Sequence, residues 1–270
     1  MIKEIFTKTF LESEKISEDF HATKASKKFD FKVAIICITI ALSLTIVNYL
    51  GSFENIIIIL NSFDGENANA INKFFYEGEY SQLYRLSNWI LILAFSYFLL
   101  PILIIKIIFK EPLSNYGLTI KNAFKDYKLF LMILTIMFPI VVAISFNTNF
   151  QTKYPFYKLN QNETLNFKFF IWEMEYFFQF FALEFLFRGF LLHGLKHRFG
   201  YYSVFIMVIP YCMIHFAKPM PEAISAIIAG IVLGTLSLKS KNIWLGVFIH
   251  CSIALTMDLC SLWQKGMLSF

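Results

Sequence analysis

The sequence predicts an all-α fold, a polytopic transmembrane helical bundle with about seven spans. Of the 270 residues, 57% are hydrophobic and only 16% are charged. A soluble domain rarely combines so little charge with several long apolar runs. A transmembrane helix needs roughly 20 consecutive apolar residues, and several runs in this chain approach that length.

The predicted spans follow the apolar runs of the chain in order. They are Val33–Leu50, Asn88–Phe109, Leu129–Phe146, Phe169–Leu195, Tyr201–Phe216, Ala223–Leu238 and Ile243–Trp263. Between the first two, Phe53–Phe63 is too short to span and is predicted to be interfacial or re-entrant. The chain then divides into a polar, Lys-rich segment (1–32), scaffold helices (33–168), a core of four membrane helices (169–263) and a short tail (264–270).

Basic residues alternate between the two sides of the predicted bundle. Lysines crowd the N-terminal segment and recur, with Arg198, in the second, fourth and sixth connections, whereas the first connection is acidic. The positive-inside rule then places the N-terminus in the cytoplasm. Because the net charge of +5 follows this topology, we expect no nucleic-acid partner. We expect an integral protein of a bacterial plasma membrane.

The fourth span carries two charged residues, Glu184 and Arg188, which lie four apart and therefore share a helix face. An ionisable group at the centre of a membrane helix costs at least ~2.5–3.5 kcal/mol on insertion scales, so such groups usually mark a pathway or a site. One interpretation is an ion pair that neutralises itself and lets the helix insert. The other makes Glu184 a general base that Arg188 holds in place.

The fifth span places Tyr211 one turn before His215, close to a helix break. A single histidine in a membrane is often only a hydrogen-bonding link between helices. Near a helix break, however, freed backbone groups usually line a cavity, which favours a functional role for His215. Glu222 follows at the start of the sixth helix, where a carboxylate is favourable on electrostatic grounds. A supporting role of Glu222 towards His215 is a second interpretation.

The last span contributes His250 and, two turns later, Asp258. If this helix converges with the fourth and fifth spans, Glu184, Arg188, His215 and His250 surround one pocket. This set suits peptide hydrolysis, because a carboxylate can take a proton from water while a histidine or a bound metal stabilises the carbonyl oxygen. Two histidines and a carboxylate also form a permitted zinc set, so a divalent metal at His215 and His250 is one expectation. No H-E-x-x-H pair is present, which excludes a zincin.

The order of these motifs resembles the CAAX protease and bacteriocin-processing family of intramembrane proteases. That family has E-E-x-x-x-R followed by Gly, then F-x-x-x-H, then H-x-x-x-N or D, on successive helices. Over about Trp172 to Leu259, this chain has the corresponding residues in the same order: Glu184, Arg188, Gly189, Tyr211, His215 and His250. A helix with Gly230 and Gly234 at small-xxx-small spacing lies between the second and third motifs and predicts close packing.

Two positions depart from the family pattern. Leu183 stands where the first glutamate is expected, and Ala254 stands where the third motif has its amide or carboxylate. Asp258 lies one turn beyond Ala254 and is the predicted substitute. The resemblance implies a protease fold and places Glu184 at the second glutamate position. Because Leu183 and Glu184 differ by only ~100° in direction and ~1.5 Å in height, a shift of the role of the first glutamate to Glu184 is sterically allowed.

Three functions are compatible with these residues. The first is an intramembrane endopeptidase that cleaves a membrane-associated peptide or protein, with Glu184, Arg188, His215 and His250 as catalytic residues and Asp258, Glu222 and Tyr211 in support. The second is a catalytically silent relative, an immunity or regulatory protein that binds a peptide partner, as Leu183 and Ala254 suggest. The third is a small proton-linked transporter, which lacks the support of paired broken helices.

Overall fold

The computed structural model describes residues 2–63, 65–121, 123–159, 165–218 and 220–268, and these form helices joined by turns, without a strand. The last two residues of the predicted tail lie outside the described part. The helices are α1 Ile2–His21, α2 Phe31–Leu50, α3 Phe53–Asn61, α4 Gly65–Tyr76, α5 Ser81–Phe109, α6 Tyr127–Ser145, α7 Thr148–Lys153, α8 Phe167–Glu184, α9 Gly194–Phe199, α10 Ser203–Met213, α11 Met220–Ser240 and α12 Trp244–Gln264. A π-helix, Phe185–His193, joins α8 to α9, and α5 contains two π-helical turns.

The polytopic all-α bundle predicted from the sequence is confirmed. Among the described residues, six helical stretches are long and apolar enough to cross a membrane, and one of them, Phe167–Met213, has 47 residues. This stretch contains the fourth predicted span and the fifth as far as Met213, which explains the difference from seven. Arg188 and Tyr211 would lie roughly 35 Å apart along a straight helix. The Arg188 guanidinium instead lies 4.0 Å from the centre of the Tyr211 ring, so the chain folds back between them.

The reversal takes place at the short 3₁₀ turn Gly200–Tyr202. Gly200 has φ of +53°, a backbone conformation that favours glycine, and a Cβ at this position would lie 2.4 Å from a carboxylate oxygen of Glu14. That oxygen accepts a hydrogen bond from the Tyr201 amide at 2.8 Å. Glycine is therefore required at Gly200 both for the turn and for the close approach of α1.

Two segments before the second span are more helical than the sequence indicated. The polar N-terminal segment forms helix α1, which is held by a hydrogen bond of 2.8 Å from the Ser17 hydroxyl to the Arg198 carbonyl. The short apolar run predicted to be interfacial forms α3, and α4 follows it.

The second span begins at Ser81 rather than Asn88. Polar residues form the first turns of this helix and run on directly into its apolar part. Polar residues give no apolar signal, so a search for apolar runs misses such turns.

The chain forms two compact units, each assembled from three separate segments. Unit 1 consists of Met1–Leu44, Ser96–Tyr127 and Ala182–Val247, and unit 2 of Thr45–Phe95, Lys128–Phe181 and Phe248–Phe270. In unit 1, every residue of the π-helix is buried. In unit 2, buried aromatic residues of α8 pack with residues of α5 and α12: Phe169, Trp172, Tyr176, Leu83, Ile90 and Leu262.

The small-xxx-small face of α11 packs closely on α10 within unit 1. A Cβ added at Gly230 would lie 2.9 Å from a methyl carbon of Val208, and one at Gly234 would lie 3.0 Å from the terminal methyl of Met207. A larger side chain at either position would require α10 side chains to move. The prediction of close helix packing at these glycines is confirmed, and this packing fixes α10, which carries Tyr211.

Candidate active site

The candidate site of unit 1 begins with an ion pair between Glu184 and Arg188. Glu184 ends α8, and Arg188 lies in the π-helix that follows. One guanidinium nitrogen of Arg188 lies 2.9 Å from Glu184 Oε1, and neither side chain has any exposed surface. The shared face predicted from the four-residue spacing is thus present as a direct contact. π-Helical turns are rare and frequently occur at functional sites.

Tyr211 connects this ion pair to His215. The Arg188 guanidinium lies over the Tyr211 ring at 4.0 Å, an arrangement in which the cation is attracted to the electron-rich face of the ring. The rings of Tyr211 and His215 meet edge to face with centroids 5.0 Å apart. Tyr211 is itself buried. Three of the four predicted catalytic residues are therefore linked through consecutive contacts within one unit, and Tyr211 is the link.

The position of the proton on His215 follows from its hydrogen bond. Nδ1 lies 2.8 Å from the carbonyl oxygen of Tyr211, and because a carbonyl only accepts, Nδ1 carries the hydrogen. In the neutral ring, Nε2 is then the acceptor nitrogen. His215 lies just beyond the end of α10 at Met213, as the predicted helix break requires.

Gly246, at the start of α12, is a site residue that the sequence analysis missed. A Cβ added to Gly246 would lie 2.2 Å from Glu184 Oε2 and 2.6 Å from its carboxyl carbon. The Glu184 carboxylate therefore rests directly against the backbone of α12. Gly246 lies one turn before His250 in the last span, but a glycine in an apolar run does not by itself show which helix approaches it.

The supporting residue Glu222 lies in the first turn of α11, as predicted. Its carboxylate is 3.6 Å from the ammonium group of Lys218, one turn earlier in the chain. This ion pair fits the ordinary interpretation of a carboxylate at a helix N-terminus. The role of Glu222 towards His215 stays a prediction.

His250 and Asp258 belong to unit 2. The His250 ring stacks on Phe180, with ring centroids 5.5 Å apart and planes within 4° of parallel. Asp258 is wholly buried and interacts with Glu173 of α8, a partner that the sequence analysis did not assign to it. A hydrogen bond between two carboxyl groups requires a proton on one of them, because carboxylates only accept. That His250 joins Glu184 and His215 in one pocket stays a prediction.

No group of three or more His, Cys, Asp or Glu side chains is arranged to hold a metal ion within the part of the chain that the structure describes. The residues as placed therefore do not form a complete protein metal site, which usually takes three or four such ligands. The divalent metal expected at His215 and His250 stays a prediction.

The two positions that depart from the family pattern are both buried. Leu183 is 5% exposed and precedes Glu184 in unit 1, and Ala254 is 4% exposed and packs in the core of unit 2. Leu183 therefore provides no carboxylate at the first position of the motif, and Glu184 is the carboxylate that pairs with Arg188.

The family model for type II CAAX prenyl endopeptidase Rce1-like proteins matches residues 165–256. We call residues 165–256 the Rce1-like region, because this family model matches them. This match confirms the resemblance drawn from the motifs, and the Rce1-like region contains Glu184, Arg188, Tyr211, His215 and His250. It supports a membrane-embedded protease of the CAAX-type intramembrane superfamily. No curated protein and no solved structure matches the chain.

Proposed function

We propose that this protein is an intramembrane endopeptidase that cleaves a membrane-associated peptide or protein with Glu184 as its general base. The observation that carries the proposal is the fully buried ion pair between Glu184 and Arg188 inside the Rce1-like region. Charged groups that are kept inside a membrane region are expensive and usually functional.

In this proposal, Arg188 is a positioning residue. The guanidinium contacts Glu184 Oε1 on one side and the Tyr211 ring on the other, so it holds the carboxylate in one orientation. An oriented carboxylate can take a proton from a water molecule as that water attacks a peptide carbonyl. The carboxylate has no exposed surface, so water and the peptide reach it only when the helices around it part.

The hydrogen bond of His215 limits what this residue does in the reaction. With Nδ1 donating to the Tyr211 carbonyl, neutral His215 offers Nε2 as an acceptor and not as a donor. It suits the transfer of a proton to the leaving amine, because Nε2 first takes up a proton and then gives it away. We assign the stabilisation of the carbonyl oxygen to His250, whose ring is oriented by its stacking on Phe180.

The substrate is proposed to be a peptide segment held at the bilayer, and the host membrane a bacterial plasma membrane with the N-terminus of the chain in the cytoplasm. The apolar helices around the Rce1-like region support a substrate that enters from the membrane. A prenylated CAAX-type peptide is the first probe, because the family description names a prenyl endopeptidase.

The test compares peptide termini in membranes of cells that express wild-type protein or the variant Glu184→Gln, together with cleavage of a prenylated CAAX-type peptide by purified protein. We expect new termini with wild type and none with Glu184→Gln or His215→Ala. Glu175→Gln is the matched control, since Glu175 lies on the same helix and its carboxylate accepts a hydrogen bond from Ser87 in unit 2. Each variant must remain folded in detergent.

One observation favours a second candidate, the silent relative that binds a peptide without cleaving it. Leu183 removes the first carboxylate of the family motif. In that case, purified protein captures its partner unchanged, and Glu184→Gln retains function. Turnover that depends on Glu184 excludes this candidate, and unchanged turnover in both Glu184→Gln and His215→Ala excludes the proposed mechanism.

A further inference from the structure

A second buried polar cluster in unit 1, separate in its residues from the candidate active site, is built around His193. His193 Nε2 lies 3.0 Å from the Ser237 hydroxyl, and the Lys196 ammonium group lies 3.2 Å from His193 Nδ1. Because an ammonium group only donates, Nδ1 is the acceptor and Nε2 carries the hydrogen. The neutral imidazole is therefore fixed by both nitrogens, and it holds the end of the Lys196 side chain in place.

The charges around Lys196 are not balanced. His193 contacts both Lys196 and Ser237, and Lys241 follows Ser237 by one turn, its amide donating to the Ser237 carbonyl at 2.8 Å. Lys32 and Glu111 are the other charged groups that act on Lys196. Glu111 is already engaged by Lys32, whose ammonium group lies 2.8 and 3.0 Å from its two oxygens, and by the Tyr116 hydroxyl at 3.0 Å. Within the described residues, neither Lys196 nor Lys241 forms an ion pair with a carboxylate. Three ammonium groups and one carboxylate leave a surplus charge of +2.

The cluster lies where apolar helices end. Lys32 is in the first turn of α2, Lys241 directly follows the last residue of α11, and Lys196 lies in α9, just after the wholly buried π-helix. α2 and α11 are both candidate membrane spans. Positive charges at the ends of such helices lie at the level of lipid headgroups, and lysines there attract anionic lipids.

We propose that Lys196 and Lys241 form a binding site for a phosphate group, with His193 positioning Lys196. Lys196 is partly buried and has no carboxylate counter-ion among the described residues, which is unfavourable, and an anion relieves this cost. Lys241 is exposed and adds a second positive charge beside it. A phosphate offers several acceptor oxygens to two lysines at once and forms strong charge-assisted hydrogen bonds with them. The headgroup of an anionic phospholipid and free inorganic phosphate both carry this chemistry. The site does not depend on the proposed proteolysis.

The experiment uses the full chain, purified in detergent and then placed in bilayers of phosphatidylcholine with or without phosphatidylglycerol. Thermal unfolding is followed in each bilayer, and in detergent with inorganic phosphate against chloride at equal ionic strength. We expect phosphatidylglycerol to raise the unfolding midpoint of the wild type. In Lys196→Gln and Lys241→Gln, this rise should be smaller. Each variant loses one charge-assisted contact, so its affinity for the phosphate group should fall roughly tenfold or more.

Lys125→Gln is the matched control, because Lys125 is an exposed lysine of the same unit and its removal lowers the net charge equally. Lys196→Arg retains the positive charge and should retain the response. A response to phosphatidylglycerol alone identifies a lipid as the ligand, and a response to inorganic phosphate as well identifies a site open to soluble phosphate. If Lys196→Gln does not fold, Lys241→Gln provides the test, because Lys241 is exposed. No response in the wild type, or an equal loss in Lys125→Gln, overturns the proposal.

Discussion

Substitution of Gly246 by alanine tests the geometry of the candidate site most directly. The added Cβ would lie 2.2 Å from Glu184 Oε2, and the ordinary contact limit is 3.4 Å, so that oxygen must retreat by about 1.2 Å. A displacement of this size is enough to break the 2.9 Å contact with Arg188. Overpacking in a buried site costs about 1–3 kcal/mol of stability. A misplacement of about 1 Å can cost roughly 100-fold in rate.

The assay measures both the unfolding midpoint in detergent and the rate of peptide cleavage. We expect Gly246→Ala to lower both, whereas Gly65→Ala serves as the control, because a Cβ at Gly65 meets no atom within 4 Å. Adding Glu184→Asp to Gly246→Ala shortens the acidic side chain by one methylene and so makes room for the added Cβ. The double variant should therefore recover part of the lost stability, a non-additive effect between residues in contact. Unchanged stability in Gly246→Ala, or strictly additive losses in the double variant, would refute the contact. The stability measurement stands even if no cleavage is found.

Three further predictions concern other charged groups. Arg188→Ala leaves a buried carboxylate without its counter-ion and should destabilise the protein by about 3–5 kcal/mol, measured by unfolding in detergent. Asp258→Ala leaves Glu173 without its partner and should cost about 1–3 kcal/mol, whereas Asp258→Asn can still donate to Glu173 and should cost less; equal losses would contradict the pairing. Burial raises the pKa of Glu111, but the Lys32 ammonium group outweighs it, and the net effect is a pKa below the usual 4.5. The stability from this pair is present above that pH and lost as the pH falls through the lowered value, so wild type should lose more stability in acid than Glu111→Gln does.

The sequence predicted those features that depend on apolar content and spacing. The contact between Glu184 and Arg188 follows from their four-residue separation, and the close packing at Gly230 and Gly234 from the small-residue pattern. The π-helix was not predictable, because its residues have the same apolar composition as an α-helix, and only a change in backbone hydrogen bonding distinguishes the two.

Partners that are distant in the chain were also beyond the sequence analysis. Glu173 and Asp258 are both carboxylates in apolar helices, but 85 positions separate them and no local pattern relates their helix faces. The contact of Gly246 with Glu184 is of the same kind, since it depends on the depth and rotation of α12 rather than on its composition.

The absence of the first glutamate of the family motif is consistent with the burial of the ion pair. One carboxylate and one guanidinium are neutral as a pair, which lowers the desolvation penalty of burying both side chains completely. A second carboxylate at the buried position of Leu183 would add an uncompensated negative charge unless it took up a proton. Glu184 is therefore both the counter-ion of Arg188 and the proposed base. Because one carboxylate serves both purposes, Glu184→Gln should lower stability and abolish cleavage together, whereas Glu175→Gln should do neither.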